Sequence, residues 1–225
     1  MNKAWNTTAL IARFEGHRNE ELAIQMAAYM KHKFPFLGIQ KPLRTVLIKA
    51  HLSEYCLPRK EELKNAVRAL YALPEREYQY AAIDLLEKAK AELTQGDLPF
   101  LRQLIESNSW WDSVDAISPK LAGAIVLLDR KAAAPVMLEW SQADNFWTNR
   151  AAILHQLKFK QQTDTHLLSD ILTQHVKSNE FFIQKSIGWA LREYAKTDPE
   201  WVLDFAAAQS LRPLSRREAL KHMKK

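Results

Sequence analysis

The segment Asn149-Arg150-Ala151-Ala152-Ile153 carries two polar residues followed by small and apolar ones, and related segments recur along the chain. At a spacing of 35 residues they are Gln79-Tyr80-Ala81-Ala82-Ile83, Val114-Asp115-Ala116-Ile117-Ser118 and Gln184-Lys185-Ser186-Ile187-Gly188. One pair of helices in a stacked repeat protein needs about that length. The spacing predicts that the second residues of the four segments share one surface: Tyr80, Asp115, Arg150 and Lys185. A chance alignment of helical patterns is the alternative.

The rest of the sequence favours an all-α fold. Only five glycines occur in 225 residues, and no alternating β-branched run is bounded by turn residues, which disfavours a sheet protein or a Rossmann fold. The nine prolines fall at intervals that would begin or end helices. A chain of this length without a break in composition predicts one domain, residues 1–225. The predicted helices span Asn6–Lys33 in one or two pieces, Leu43–Cys56, Lys60–Leu73, Tyr78–Leu93, Leu98–Glu106, Ser109–Ile117, Lys120–Asp129, Ala132–Ser141, Phe146–Leu157, Asp164–Val176, Glu180–Ala195, Pro199–Ala208 and Ser215–His222.

Composition and motifs exclude several classes of protein. Hydrophobic residues make up 47% of the chain, yet no apolar run approaches the roughly 20 residues of a membrane span. Met1–Thr8 has no secretion signal, so we expect a cytoplasmic location. Cys56 is the only cysteine and the seven histidines form no metal motif, so no disulfide, metal or cofactor is expected. No phosphate-binding glycine loop and no serine nucleophile motif occurs.

The chain carries a net charge of +6. A basic excess suits a polyanionic partner when the charge is gathered on one surface. Many basic proteins of this size bind no nucleic acid, so the charge alone is only a weak indication of a DNA partner.

Trp111 and Asp115 lie four residues apart, so a helix would place both on one face. An indole beside a carboxylate suits a positively charged target, and simple packing is the alternative. Lys185, Trp189 and Arg192 follow an i, i+4, i+7 series that is normally a solvated face. The 35-residue register would bring this series near Asp115, which leaves a binding site and a solvated face as equal alternatives. The remaining tryptophans are assigned to packing: Trp5, Trp110, Trp140, Trp147 and Trp201.

Two longer runs in these segments are specific: Ser109-Trp110-Trp111-Asp112-Ser113-Val114-Asp115 and Gln184-Lys185-Ser186-Ile187-Gly188-Trp189-Ala190-Leu191-Arg192-Glu193-Tyr194. Supporting runs are Met26–Lys31, Phe34–Ile39 and Arg150–Leu154. Together they resemble the motifs of the AlkD family of DNA alkylation repair glycosylases. The motifs follow the family's order and cover most of the chain, with no departure at the positions that matter.

The resemblance implies an all-α fold, a curved right-handed solenoid of HEAT-like helix pairs with DNA along its concave side. It implies release of N3- and N7-alkylated purines from double-stranded DNA. We expect a monomer, because a single-domain enzyme that grips one duplex needs no partner subunit. Asp115 would be the catalytic carboxylate. Trp111 and Trp189 would pack against the backbone sugars around the lesion, and Arg150 would hold a phosphate there. Further DNA-binding positions would be Tyr29, Lys158, Lys185 and Arg192.

The chemistry of such lesions fits a single carboxylate. An N3- or N7-alkylated purine already carries a positive charge, so it leaves as a neutral base and needs no general acid. One carboxylate can then suffice where a sugar hydrolase uses two. The resemblance also implies that the protein grips the DNA backbone, whereas most glycosylases flip the base into a pocket.

Two other functions are compatible with a basic helical repeat. One is an inactive protein that binds distorted or branched DNA, which would keep the basic surface and lose the carboxylate or its tryptophans. The other is a protein-binding scaffold, the commonest use of helical repeats. Steep salt dependence of duplex binding would separate a DNA-binding protein from a scaffold.

Overall fold

A computed structural model describes residues 2–223 of the chain. These residues form fourteen α-helices and no β-strand, and the only β-type pairing among them is one isolated bridge between Lys3 and Tyr55. The predicted all-α class is confirmed. The helices are α1 Thr7–Glu15, α2 Glu20–Tyr29, α3 Lys41–Glu54, α4 Lys60–Tyr71, α5 Arg76–Lys88, α6 Leu98–Glu106, α7 Trp111–Ile117, α8 Gly123–Leu128, α9 Arg130–Ser141, α10 Phe146–Leu154, α11 Thr165–His175, α12 Phe181–Tyr194, α13 Pro199–Ala208 and α14 Pro213–Ala219.

The helices form two compact units. The first ends at Glu92 and contains α1 to α5, and the second begins at Leu93 and contains α6 to α14. One domain over residues 1–225 stays a prediction, and residues 1, 224 and 225 of that range lie outside the described residues. The longest described helices have 14 residues, and none in residues 2–223 combines the length and the apolar character needed to cross a bilayer.

In the first unit, the predicted helix over Asn6–Lys33 forms two pieces. Gly16 ends α1, and the Asn19 side chain accepts a hydrogen bond from the Leu22 backbone N–H at the start of α2. An asparagine at this position satisfies a backbone donor that the first turn leaves unpaired, and so favours a new helix start. The break therefore follows from local capping chemistry.

The Phe34–Ile39 motif forms a loop that is fixed by a buried carboxylate. Glu77 of α5 accepts hydrogen bonds of 2.9 Å from the backbone N–H groups of Leu37, Gly38 and Ile39. Gly38 has a φ of +86°, and a Cβ there would lie 2.0 Å from the Asn19 carbonyl oxygen, so only glycine fits. These motif residues therefore stabilise the structure of the first unit.

The second unit contains the repeat that the sequence predicts. Helix α9 packs against α10, while α7, α10, α12 and α14 lie next to one another in that order. Hydrogen bonds join residues about one period apart: Ser118 donates to the Ala151 carbonyl, and Arg212 to the Lys177 carbonyl. The spacing of 35 residues therefore relates neighbouring helices in this unit, as helix pairs in a repeat require.

Two prolines do not act as the sequence suggests. Pro119 is predicted to separate the helices Ser109–Ile117 and Lys120–Asp129, but the chain stays helical from Trp111 to Leu128 through a π-helical turn at Ser118–Ala122. The wider turn accommodates a residue that has no N–H to donate. Pro135 likewise lies inside α9. The first of the two helices also begins at Trp111, because Trp110 is extended.

Candidate active site

The second unit has an open pocket of about 390 Å³ at which most of the predicted site residues meet. Helix α7 supplies Trp111 and Asp115 from one face, as their spacing predicts. Six of the predicted residues line the pocket: Trp111, Asp115, Arg150, Lys185, Trp189 and Arg192. Its lining combines aromatic surface, one carboxylate and three cations.

The Asp115 carboxylate is bound by Arg150 through both of its oxygens. Arg150 Nε donates to Oδ1 and a terminal nitrogen donates to Oδ2, and each donor–acceptor distance is 2.8 Å. The other terminal nitrogen donates to the backbone carbonyl of Phe182 at the start of α12. Such a two-point pair fixes the plane of the carboxylate as well as its position. Arg150 of α10 thus links α7 and α12, two helices of neighbouring repeats, at the pocket.

Two opposing effects act on the acidity of Asp115. Burial raises its pKa above the ordinary value of 3.8, while the hydrogen bonds and the positive charge of Arg150 lower it, and nearby Asp112 adds to the rise. Both carboxylate oxygens accept hydrogen bonds from Arg150, so the arrangement is that of the ionised form. The side chain is 16% exposed, and its remaining lone pairs are therefore accessible from the pocket.

An aromatic cluster supports the pocket from behind. The ring centroids of Trp110 and Phe182 are 5.1 Å apart, and those of Trp147 and Phe182 are 4.8 Å apart. Trp110 and Trp147 also contact each other, at 5.6 Å. Rings at these separations pack well and hold each other in place. The assignment of Trp110 and Trp147 to packing agrees with these contacts.

Two residues that line the pocket, Phe181 and Phe182, were not predicted from the sequence. Phe181 lies four residues before Lys185, and so continues the Lys185, Trp189, Arg192 series back by one helical turn. Extending that series would have identified it. Phe182 is recognisable only from contacts between helices, because its ring meets residues from other repeats.

A third missed residue, Glu218 on α14, binds two of the predicted basic residues. Its oxygens lie 3.1 Å from Lys185 Nζ and 2.7 Å from a terminal nitrogen of Arg192. These hydrogen bonds, first from Arg192 and then from Lys185, lower the pKa of Glu218. Gly188 permits the contact, since a Cβ there would lie 2.4 Å from the Cβ of Glu218.

Comparisons with known proteins show the family to which this chain belongs. The family model of the DNA alkylation repair enzyme matches residues 10–223. The chain belongs to this family. Among solved structures, one described as a predicted DNA alkylation repair enzyme from Enterococcus faecalis is similar to it, with 39% identity and a TM-score of 0.86. That similarity covers 92% of this chain and 97% of the other. No curated protein matched.

Other residues that the motifs or the 35-residue spacing indicated lie outside this pocket. Tyr29 ends α2 in the first unit and is 74% exposed, and Lys158 is an exposed residue at the end of the otherwise buried turn after α10. Tyr80 is on α5 in the first unit, where the Arg44 guanidinium lies 4.8 Å from its ring centroid. DNA contacts by Tyr29 and Lys158 stay predictions.

The groups that line the pocket can stabilise charge on a bound substrate. Within residues 2–223, no three His, Cys, Asp or Glu side chains are grouped so as to hold a metal ion. Asp115 is the only carboxylate among the residues that line the pocket in the described part of the chain. What the arrangement can offer a substrate is one oriented negative charge between aromatic walls, beside cations suited to phosphate.

Proposed function

We propose that this member of the DNA alkylation repair enzyme family is a glycosylase. It hydrolyses the N-glycosidic bond of positively charged N3- and N7-alkylated purines in duplex DNA, the first step of base excision repair. The observation that carries the proposal is the Asp115 carboxylate, which Arg150 orients in an open pocket that Trp111 and Trp189 also line.

The reaction requires stabilisation of a sugar cation. As the glycosidic bond breaks, its electron pair moves to the cationic base, which leaves neutral, and positive charge develops on the deoxyribose. Asp115 stabilises this oxocarbenium and orients a water molecule, which adds to the anomeric carbon and releases one proton to the solvent. Electrostatic stabilisation of this kind is most effective when the charged group is already in place and partly desolvated.

Arg150 prepares Asp115 for that role. It is 5% exposed, and its contacts with Asp115 and the Phe182 carbonyl fix it in one position. The three hydrogen bonds use three of the five N–H donors of the guanidinium, so others remain for the phosphate contact that the motif resemblance implies. Arg150 thereby orients the carboxylate and contacts the backbone at the lesion.

The two half-buried indoles line the same pocket as Asp115, and we assign them to the sugars around the lesion. An indole face attracts a cation by about 0.5–2 kcal/mol, depending on how far the pair is desolvated. This attraction is weaker than the electrostatic stabilisation expected of the Asp115 carboxylate. Trp111 and Trp189 therefore act as walls that favour the developing cation, while Asp115 supplies the main stabilisation.

The basic residues would bind the DNA backbone. Lys185 and Arg192 line the pocket, and Tyr29 and Lys158 provide further exposed contacts. The protein would work as a monomer in the cytoplasm, without a metal or cofactor, and would leave the damaged base unflipped. Selectivity would then come from the positive charge and weakened bond of the lesion.

The test is the release of free bases from methylated genomic DNA. Wild type is expected to liberate 7-methylguanine or 3-methyladenine, and Asp115→Asn is not. Asp170→Asn removes the same charge from an exposed position on α11 and should behave as wild type. Equal release by Asp115→Asn would reject the proposal, and a wild type that binds DNA and releases nothing would indicate an inactive DNA-binding protein.

A further inference from the structure

The carboxylate of Glu218 joins the two cations of α12 that line the pocket. Lys185 and Arg192 are seven residues apart, so their Cα atoms lie about 10 Å apart along the helix axis. Both side chains nevertheless converge on Glu218, with one oxygen 3.1 Å from Lys185 Nζ and the other 2.7 Å from Arg192. The pair thus forms a two-point anion site that an internal carboxylate fills.

The position of Glu218 is set by the packing of α14 on α12. Gly188 lies between Lys185 and Arg192, and a Cβ there would collide with Glu218 Cβ at 2.4 Å and lie in tight contact with the Ser215 carbonyl oxygen at 3.0 Å. Arg192 also donates to the Glu218 backbone carbonyl, and Ser215 donates to the Gln184 carbonyl. Because these contacts fix α14, the carboxylate of Glu218 is held against the two cations.

The charge of the pocket depends on this contact. The lining residues include three cations and one carboxylate, and Glu218 adds a second carboxylate that touches two of the cations. A DNA phosphate that approaches Lys185 or Arg192 must therefore compete with a carboxylate that is already bound there. Every phosphate contact made by a basic residue strengthens binding to any DNA sequence, damaged or not.

We propose that Glu218 limits the grip of Lys185 and Arg192 on DNA phosphates, so that the protein binds undamaged duplex weakly. The inference rests on the proposed use of this pocket for DNA. Without Glu218, the two cations would bind backbone phosphates wherever the protein meets a duplex. With Glu218 in place, tight binding requires the additional attraction between Asp115 and a cationic lesion.

The test measures binding of an undamaged fluorescein-labelled duplex over a series of KCl concentrations. Glu218→Gln keeps the size of the side chain and removes its charge. We expect it to bind several-fold more tightly than wild type, with a log–log salt slope steeper by about 0.9 for each additional phosphate that the protein neutralises. Glu200→Gln, at an exposed position in the first turn of α13, is the matched charge control and should change both quantities less.

A double variant separates this role from a structural one. Adding Lys185→Gln to Glu218→Gln removes one of the two released cations, so the salt dependence should return part of the way to that of wild type. In base-release assays, undamaged competitor DNA should inhibit Glu218→Gln more strongly than wild type. Unchanged or weaker binding by Glu218→Gln, with an unchanged salt dependence, would overturn the inference.

The outcome is separable from that of the proposed function. Tighter binding by Glu218→Gln in a protein that releases no base would support the role of Glu218 and reject the glycosylase. Base release that depends on Asp115, together with unchanged binding by Glu218→Gln, would support the glycosylase and reject the role of Glu218.

Discussion

Asp115 is partly buried, and its pairing with Arg150 favours the ionised form despite that burial. Partial burial strengthens its field at a substrate, because less water screens it, and the same burial raises its pKa. The two hydrogen bonds from Arg150 favour the ionised form, which the proposed mechanism requires. The pairing explains why a carboxylate can be partly withdrawn from water and still serve as an anion.

Arg150→Lys should shift the acid limb of the pH–rate profile to higher pH. The raised pKa of Asp115 already means that activity falls as the pH drops through a value above 3.8. Lysine cannot make the two-point contact, so less of the opposing effect remains and the pKa rises further. Single-turnover base release measured against pH, beside wild type, checks this. An acid limb at the wild-type position would mean that Arg150 does not control the ionisation of Asp115.

Among individual residues, the sequence predicted those that lie on one face of a helix and those that occupy the same position in successive repeats. Trp111 and Asp115 follow from an i, i+4 spacing, and the contact between Asp115 and Arg150 follows from a separation of 35 residues. Glu218 could not be predicted, because its partners depend on how α14 packs on α12. The roles of these residues at DNA remain predictions.

At the scale of elements, the packing of α14 on α12 depends on the absence of a side chain at Gly188. Gly188→Ala would place a Cβ 2.4 Å from Glu218 Cβ and 3.0 Å from the Ser215 carbonyl oxygen. Alanine normally stabilises a helix relative to glycine by about 0.8–1.0 kcal/mol. We expect overpacking to outweigh this gain and to lower the free energy of unfolding by about 1–3 kcal/mol.

Chemical denaturation measures that change. Gly16→Ala is the control, because a Cβ there would meet only ordinary contacts, at 3.5 Å from the Ala12 carbonyl oxygen and beyond. Its stability should equal or exceed that of wild type. Equal stability of Gly188→Ala and wild type would show that α14 can move away from α12 without cost.

Most helices were predictable because their ends carry local signals. Asn19, Asp129 and Asp164 each accept a hydrogen bond from a backbone N–H in the first turn of the helix that follows. The continuity through Pro119 was not predictable. It depends on a wider turn whose Ser118 side chain bonds to the Ala151 carbonyl in the next repeat, a contact that only the folded chain supplies.

For the whole molecule, the proposed mechanism predicts which lesions are substrates. A pocket whose main contribution is an anion selects cationic nucleotides, and without base flipping it sets little limit on the size of the alkyl group. Bulky N3- or N7-alkyl adducts should be excised, while uracil and hypoxanthine, which are neutral, should remain. Duplexes with one defined lesion each, incubated with the enzyme and analysed for free base, check this. Excision of uracil or hypoxanthine at rates comparable with 7-methylguanine would contradict it.

The all-α class of the described residues followed from the scarcity of glycine, which helices disfavour, and from the repeat, which reflects how helix pairs pack. The longer motifs indicated a DNA alkylation repair protein, and the family match over residues 10–223 confirms that broader assignment. The resemblance to AlkD in particular stays a prediction. The division into two compact units was not predicted, because no change of composition marks the chain near Glu92. Composition reports burial and solubility, whereas the boundary depends on which helices contact each other.

The central claim is that the Asp115 carboxylate stabilises the sugar cation during departure of a charged purine. Its most direct test is the single-turnover rate constant for release of 7-methylguanine from a duplex, compared between wild type and Asp115→Asn at equal occupancy. Loss of one preorganised electrostatic contact predicts a decrease of about 10²-fold or more. A rate constant for a folded, DNA-bound Asp115→Asn equal to that of wild type would contradict the claim.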